Sequence, residues 1–227
     1  MTVFKYALKR GIVSPVALIF ACVLPIAFVV FGNFENEDSR GFYLVAFSLM
    51  VGAFFAAKGI QNDKIEGVVI RILAGPVTMR SYLVQNLLAS LVPMAVLSLV
   101  IGGLGMVLHE WSLPLALGLA ACYAFLAATS IGMSFVFSCL FKDKETSTGI
   151  FSAFITLPAM LGGFMIPLSV MPDVLFYLGA IFPAHWATRG IETLVVGEGL
   201  GIFWLSLLAM FLFSVAFLAY GGKRRIV

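Results

Sequence analysis

Six stretches of the chain, residues 12–32, 42–60, 82–108, 113–140, 147–167 and 201–221, are apolar for about the length of a membrane-crossing helix. A hydrocarbon core of roughly 30 Å takes about 20 apolar residues in helical form. Lipid offers no hydrogen bonds to the backbone, so such runs must satisfy their amides internally, as helices do. The chain is 62% hydrophobic and 11% charged over 227 residues, which leaves too little polar surface for a soluble domain. The expected fold is an all-α integral membrane protein with six transmembrane helices, forming a single transmembrane domain over residues 1–227.

Six crossings put both termini on one side, and the positive-inside rule says which. With the N-terminus inside, the inner segments hold Lys5, Lys9, Arg10, Lys58, Lys64, Arg71, Arg80, Lys142, Lys144, Lys223, Arg224 and Arg225. The outer segments hold only Arg40 and Arg189. Glu35, Glu37, Asp38, Glu110, Asp173, Glu192 and Glu198 fall outside, which agrees but weighs less. The run from Ile12 to Phe31 is too long for a cleaved leader and lacks an A-x-A site. Ile19-Phe20-Ala21-Cys22 is a poor lipoprotein box, because the apolar residues continue past the cysteine. The first run therefore reads as a retained span.

Residues 147–182 are apolar for longer than one crossing needs and are punctuated by Pro158, Gly162-Gly163, Pro167 and Pro172, with Pro183 just beyond. A second full crossing would put Lys223, Arg224 and Arg225 outside, against the charge rule. The expectation is one span to about Pro167, then a short helix, Val174 to Phe182, that enters the outer leaflet and returns. Irregular backbone of this kind is tolerated where protein or a cavity surrounds it.

The inner loop between the second and third runs carries Asp63, Lys64, Glu66, Arg71 and Arg80 and still reads as a helix. At 100° per residue, Ile65, Val68, Val69, Ile72 and Leu73 share one face. Asp63, Lys64, Glu66, Gly67 and Arg71 share the other. Pro76 ends the helix, since the residue before a proline is pushed out of the helical region. Ile70 projects from the polar face. Two readings stand: a helix lying on the inner membrane surface, or a helix whose Ile70 knob docks on a cytosolic partner. At the N-terminus, Phe4, Leu8 and Ile12 face opposite Lys5 and Lys9, which suggests an interfacial helix with its lysines near anionic head groups.

Within the runs, Asp, Glu, Lys, Arg and His are confined to the ends, which argues against a proton- or ion-driven transporter and against an intramembrane enzyme. His109-Glu110-Trp111 lacks the second histidine of a zinc-protease motif, and no lysine is followed by Ser or Thr, so there is no phosphate loop. Cys22, Cys122 and Cys139 lie in apolar runs and suggest neither a disulfide framework nor zinc. Transport would need energy from another subunit. His185, Arg189 and Glu192 are spaced to meet on one helix face, either as an outer gate or as ordinary contacts beside a Trp186 anchor. His109 reads as an interface anchor beside Trp111. Ser130, Ser134 and Ser138 recur every four residues, as do Thr148, Ser152 and Thr156. Such stripes mark close helix packing or a substrate path.

The order of these features resembles the permeases of type-two ATP-binding cassette (ABC) transporters. The segment IEGVVIRILAGPVTMRSYLVQNLL is similar to that family's inner pattern, with Glu66, Gly67, Leu73, Pro76 and Arg80 matching and Val68 where threonine is usual. The segment GGFMIPLSVMPDVLFYLGAIFPAHWATRGIETLVVG resembles the family's late signature through Pro167, Met171-Pro172 and Pro183, with Phe182 where asparagine is common. The resemblance spans almost the whole chain. It implies an elbow helix over 1–11, a coupling helix over 63–74 and an external re-entrant lid over 168–199. The coupling residues would be Asp63, Glu66, Gly67, Ile70, Arg71, Leu73 and Pro76. The outer gate would be Pro167, Pro172, Pro183, His185, Arg189 and Glu192.

It further implies a cell-membrane complex of two permeases, identical or related, with two ATPase subunits that bind ATP and magnesium. This chain itself would have no catalytic residue, metal or cofactor, and no nucleic-acid partner. The leading expectation is export of an amphipathic drug, antibiotic peptide or lipid-like molecule. The alternative of another class is a membrane scaffold or immunity protein that binds a partner without transport.

Overall fold

The structure, a computed structural model, describes residues 2–13, 15–32, 34, 40–140, 144–197 and 199–223. Among the described residues every regular element is a helix. Helix α1 (Thr2–Val13) meets the first apolar run at a sharp bend, with Val3–Arg10 and Pro15–Phe31 inclined by 72°. Pro15 lacks the amide hydrogen that would continue α1 and starts a new helix instead. That run folds as α2 (Pro15–Leu18), a π-helical segment (Ile19–Val23) and α3 (Leu24–Phe31). It is therefore a bent pair with α1 rather than a lone straight rod.

The second run becomes α4 (Arg40–Ala57), which continues through Lys58 into α5 (Gly59–Ile65). The loop helix is α6 (Val68–Leu73). The third and fourth runs are α7 (Met79–His109) and α8 (Leu113–Leu140). The fifth run is shorter than expected. It forms α9 (Lys144–Leu161) and breaks at Gly162-Gly163, where Gly163 has a φ of 94°. A 3₁₀ turn (Leu168–Val170), α10 (Asp173–Gly179) and α11 (Pro183–Val196) follow, and α12 (Leu200–Lys223) closes the chain.

Among the described residues, four helical stretches are long and apolar enough to cross a membrane: Arg40–Ile65, Ser81–His109, Leu113–Phe137 and Leu200–Tyr220. The bent N-terminal pair makes a fifth if counted as one crossing. The chain is a multi-pass membrane protein.

Helix α8 is the hub, packed on α4, α7, α11 and α12. The main core gathers Leu49 and Phe54 from α4, Ile101 from α7, Tyr123 and Leu126 from α8, Ile191 from α11 and Met210 from α12. The most apolar 18-residue window of Arg40–Ile65 is 76% buried within the protein, against 33% for that of Ser81–His109 and 28% for that of Leu200–Tyr220. Val84, Leu88, Val92 and Val96 form an exposed stripe along α7. In water such a stripe would be a docking or aggregation surface; on a membrane-length helix it suits lipid or another apolar helix. Midway along Arg40–Ile65, Gly52 permits a close crossing, since a β-carbon there would stand 2.5 Å from the Ala21 amide nitrogen in the π segment.

Candidate functional site

Two polar assemblies lie at opposite ends of the helix bundle. The one on the side expected to be cytoplasmic, called inner from here and the opposite one outer, starts with the break in the loop helix. The expected continuous helix over 63–74 is two pieces, because Gly67 sits in the left-handed region at φ 68° between α5 and α6. A residue with a β-carbon is strained there, whereas glycine is not. The turn re-aims α6, and Arg71 Nη2 donates to the Glu66 carbonyl at 3.1 Å across it. Thr78 then caps α7, its hydroxyl accepting from the Ser81 amide at 3.3 Å.

This geometry sorts the candidate coupling residues into two groups. Ile70 is 62% exposed, and Glu66, Arg71 and Pro76 are exposed with it. Leu73 is half-buried and packs on an inner cluster of Val3, Ile60, Val69, Tyr82 and Phe135. Asp63 is not on the outward face at all. It is 2% exposed, forms an ion pair with Arg10 of α1, and accepts from the Tyr82 hydroxyl at 2.6 Å. Arg10 also donates to Asn86 Oδ1 at 3.2 Å, and Asn86 donates to the Tyr82 carbonyl at 3.0 Å. A nearby bond from the Phe4 amide to Gln85 Oε1, 3.1 Å, ties the start of α1 to α7 as well. A buried carboxylate needs such a cage, because an uncompensated charge there is costly. So Asp63 fastens the loop helices to α1 and α7, while Glu66, Ile70 and Arg71 stay on the exposed side.

Sequence reasoning missed Arg10, Tyr82 and Asn86 as members of this assembly. The spacing of Tyr82 and Asn86, one turn apart at the start of an apolar run, could have found those two; no local pattern marks Arg10.

The outer assembly is built on α10 and α11. Pro167 and Pro172 have extended-type backbone just before the 3₁₀ turn and α10, and buried Pro183 opens α11. The two short helices close over the end of α9: a β-carbon on Gly179 would stand 2.3 Å from the Leu161 carbonyl oxygen. Trp186 Nε1 donates to the Ala180 carbonyl at 2.9 Å, and Thr188 donates to the Gly162 carbonyl.

His185, Arg189 and Glu192 do not converge as a triad. His185 is buried against the Phe176 ring, centroids 4.8 Å apart, and its Nδ1 has no hydrogen-bond partner among the described residues. Arg189 lies over the same ring at 5.4 Å. Glu192 accepts from the Tyr43 hydroxyl of α4 at 3.1 Å. Burial, and secondarily the Arg189 charge, push the His185 pKa down to about 4. Burial pushes the Glu192 carboxyl up, opposed by the Tyr43 hydrogen bond and by Arg189. His109 holds the Val29 carbonyl through Nε2 at 2.6 Å and stacks on Trp111.

The hydroxyl stripes separate too. Ser130 and Ser134 are buried on α8, whereas Thr156 is exposed on α9. The side chains of Ser138, Thr148 and Ser152 lie outside the described residues. Among the described residues no cluster of His, Cys, Asp or Glu is suited to a metal ion.

Residues 35–222 match the family model for the ABC-2 family transporter proteins. No curated protein matches the chain.

Proposed function

The chain belongs to the ABC-2 transporter family, and we propose that it is the transmembrane permease subunit of an ATP-driven exporter. Six crossings fit this reading: Pro15–Phe31, α4–α5, α7, α8, α9 and α12, with both termini cytoplasmic. In it α1 is an elbow helix on the inner membrane surface. Helices α10 and α11 form an external re-entrant lid, carrying Pro167, Pro172, Pro183, His185, Arg189 and Glu192. Separate ATPase subunits bind ATP and magnesium, and a second permease, identical or related, completes the pathway. The charge-poor spans suit an amphipathic or lipid-like cargo moved outward.

The observation that carries the reading is Ile70. An isoleucine 62% exposed, flanked by exposed Glu66 and Arg71 on a short helix at the charged end of the bundle, is a shaped apolar knob with a charged rim. That is the anatomy of a small protein-docking surface. A helix merely lying on lipid would turn its aliphatic residues one way. Here Val69 points into the protein while Ile70 points away from it.

The test is co-purification of the tagged chain, in mild detergent, from cells expressing its neighbouring genes. An ATPase in roughly equal amount, lost with Ile70→Asp, is the expected result. A clean chain without ATPase would overturn the permease reading and favour a stand-alone binding protein.

A further inference from the structure

One helical unit, Arg40–Ile65, carries a polar joint at each end. At the outer end Tyr43 donates to Glu192 of α11. At the inner end Asp63 is held by Arg10 and Tyr82. With a rise of ~1.5 Å per residue, the two joints stand about 30 Å apart along the axis. Between them the stretch runs as one membrane-length unit, interrupted by a single turn at Lys58. The stretch has no proline, is 76% buried over its most apolar window, and passes from α4 to α5 through Lys58 in right-handed helical geometry. At mid-length Gly52 bears on the backbone of Ala21, in the π segment of the first run.

We infer that α4–α5 is a lever, with the Asp63 cluster as its inner joint, the Gly52–Ala21 crossing as its fulcrum and the Tyr43–Glu192 hydrogen bond as its outer joint. The helix is stiff and tightly packed, and close-packed interiors pass displacement on rather than absorb it. A force on α6 reaches Asp63 through the short Glu66-Gly67 link. A tilt about Gly52 then moves Tyr43 in the opposite sense and draws Glu192, and α11 with it. The Tyr123 hydroxyl, bonded to the Phe42 carbonyl at 3.2 Å, steadies the outer end against α8. The π segment is the natural place for the bearing, since such segments are often found at functional positions within helices. The use of the lever in transport rests on the permease reading above. The mechanical link itself does not.

Amide hydrogen exchange on the full chain in lipid nanodiscs, with and without any subunit that co-purifies, tests the link. Glu192→Gln and Tyr43→Phe weaken the outer joint, and Asp63→Asn weakens the inner one. The expected result is a several-fold rise in exchange at the far end: in α6 for the outer variants and in α11 for Asp63→Asn, with α12 unchanged. If Asp63→Asn fails to fold, Tyr82→Phe removes one hydrogen bond of the inner joint and leaves the ion pair. Exchange that rises only at the substituted end, in both directions, would overturn the lever. Because exchange is read on the permease itself, that result is separable from failure to recover an ATPase.

Discussion

Tyr82 donates its hydroxyl proton to Oδ2 of Asp63 at 2.6 Å, while Arg10, fifty-three residues before Asp63, pairs with the other carboxylate oxygen. The three side chains come from α1, α5 and α7, and they share one buried charge pair. Removing Arg10 leaves the buried Asp63 carboxylate with the Tyr82 hydroxyl but no counter-charge; breaking a fully buried pair costs about 3–5 kcal/mol, and the partial exposure of Arg10 puts this case at or below the lower end. Arg10→Ala is expected to lower stability by that order, and Asp63→Asn in the Arg10→Ala background to restore part of it. A double-mutant cycle on thermal unfolding in detergent, showing strong non-additivity, is the check.

Ile70 should behave in the opposite way. Because the side chain is exposed, Ile70→Ala should change fold stability by no more than about 0.5 kcal/mol. If Ile70 fills a pocket on the ATPase, burial of an isoleucine is worth roughly 1.5–3 kcal/mol, or about 10- to 100-fold in affinity. Titration of the purified ATPase onto immobilised permease separates the two effects. Equal affinity for both chains would remove Ile70 from the docking face.

Gly179 and Gly201 offer a contrast in sign. A β-carbon at Gly179 collides with the Leu161 carbonyl, which is backbone and cannot rotate away. Gly179→Ala is expected to destabilise by about 1–3 kcal/mol and to lift α10 from α9. At Gly201, within α12, a β-carbon meets nothing within 4 Å. Gly201→Ala there should stabilise by roughly 0.5–1 kcal/mol. Melting of the two variants side by side tests the placement of the outer helices.

His185 is expected to make the outer assembly acid-sensitive. Its pKa falls from 6.5 to about 4 in the folded chain, so between those values the unfolded chain binds more protons. Stability from this group is therefore complete above pH 6.5 and declines as the pH drops toward 4. Glu192, with its pKa raised, works the other way and gains a proton on folding as the medium becomes acid. His185→Gln should flatten the acid-side decline, and Glu192→Gln should steepen it. Melting temperatures from pH 7 to pH 4 decide. A decline identical in the wild type and His185→Gln would show that another group controls it.

The apolar runs at 42–60, 82–108, 113–140 and 201–221 could be read directly, because hydropathy over twenty residues is set by the solvent rather than by partners. The early end of α9 at Leu161 was harder to read, because it depends on a local breaker, Gly162-Gly163, inside a run that hydropathy alone joins together. The wheel over 63–73 placed Val69 and Ile70 on opposing faces, as they stand. It put Asp63 with the solvated charges because a wheel sees residue type and not pairing. Arg10 lies too far away in sequence for any periodicity to connect it to Asp63. The same holds for Tyr43 and Glu192, whose hydrogen bond spans 149 residues.

Helix α7 runs for 31 residues, about 46 Å at ~1.5 Å per residue, whereas a bilayer's oily interior is roughly 30 Å thick. It has to lean, or stand proud of the lipid at one end, and two-thirds of its most apolar window is left uncovered by the rest of the chain. Membrane thickness is then an input to this molecule. A thinner bilayer would lay α7 over further and carry the Tyr82–Asp63 contact with it, while α4, shielded inside the bundle, would feel the change only at second hand.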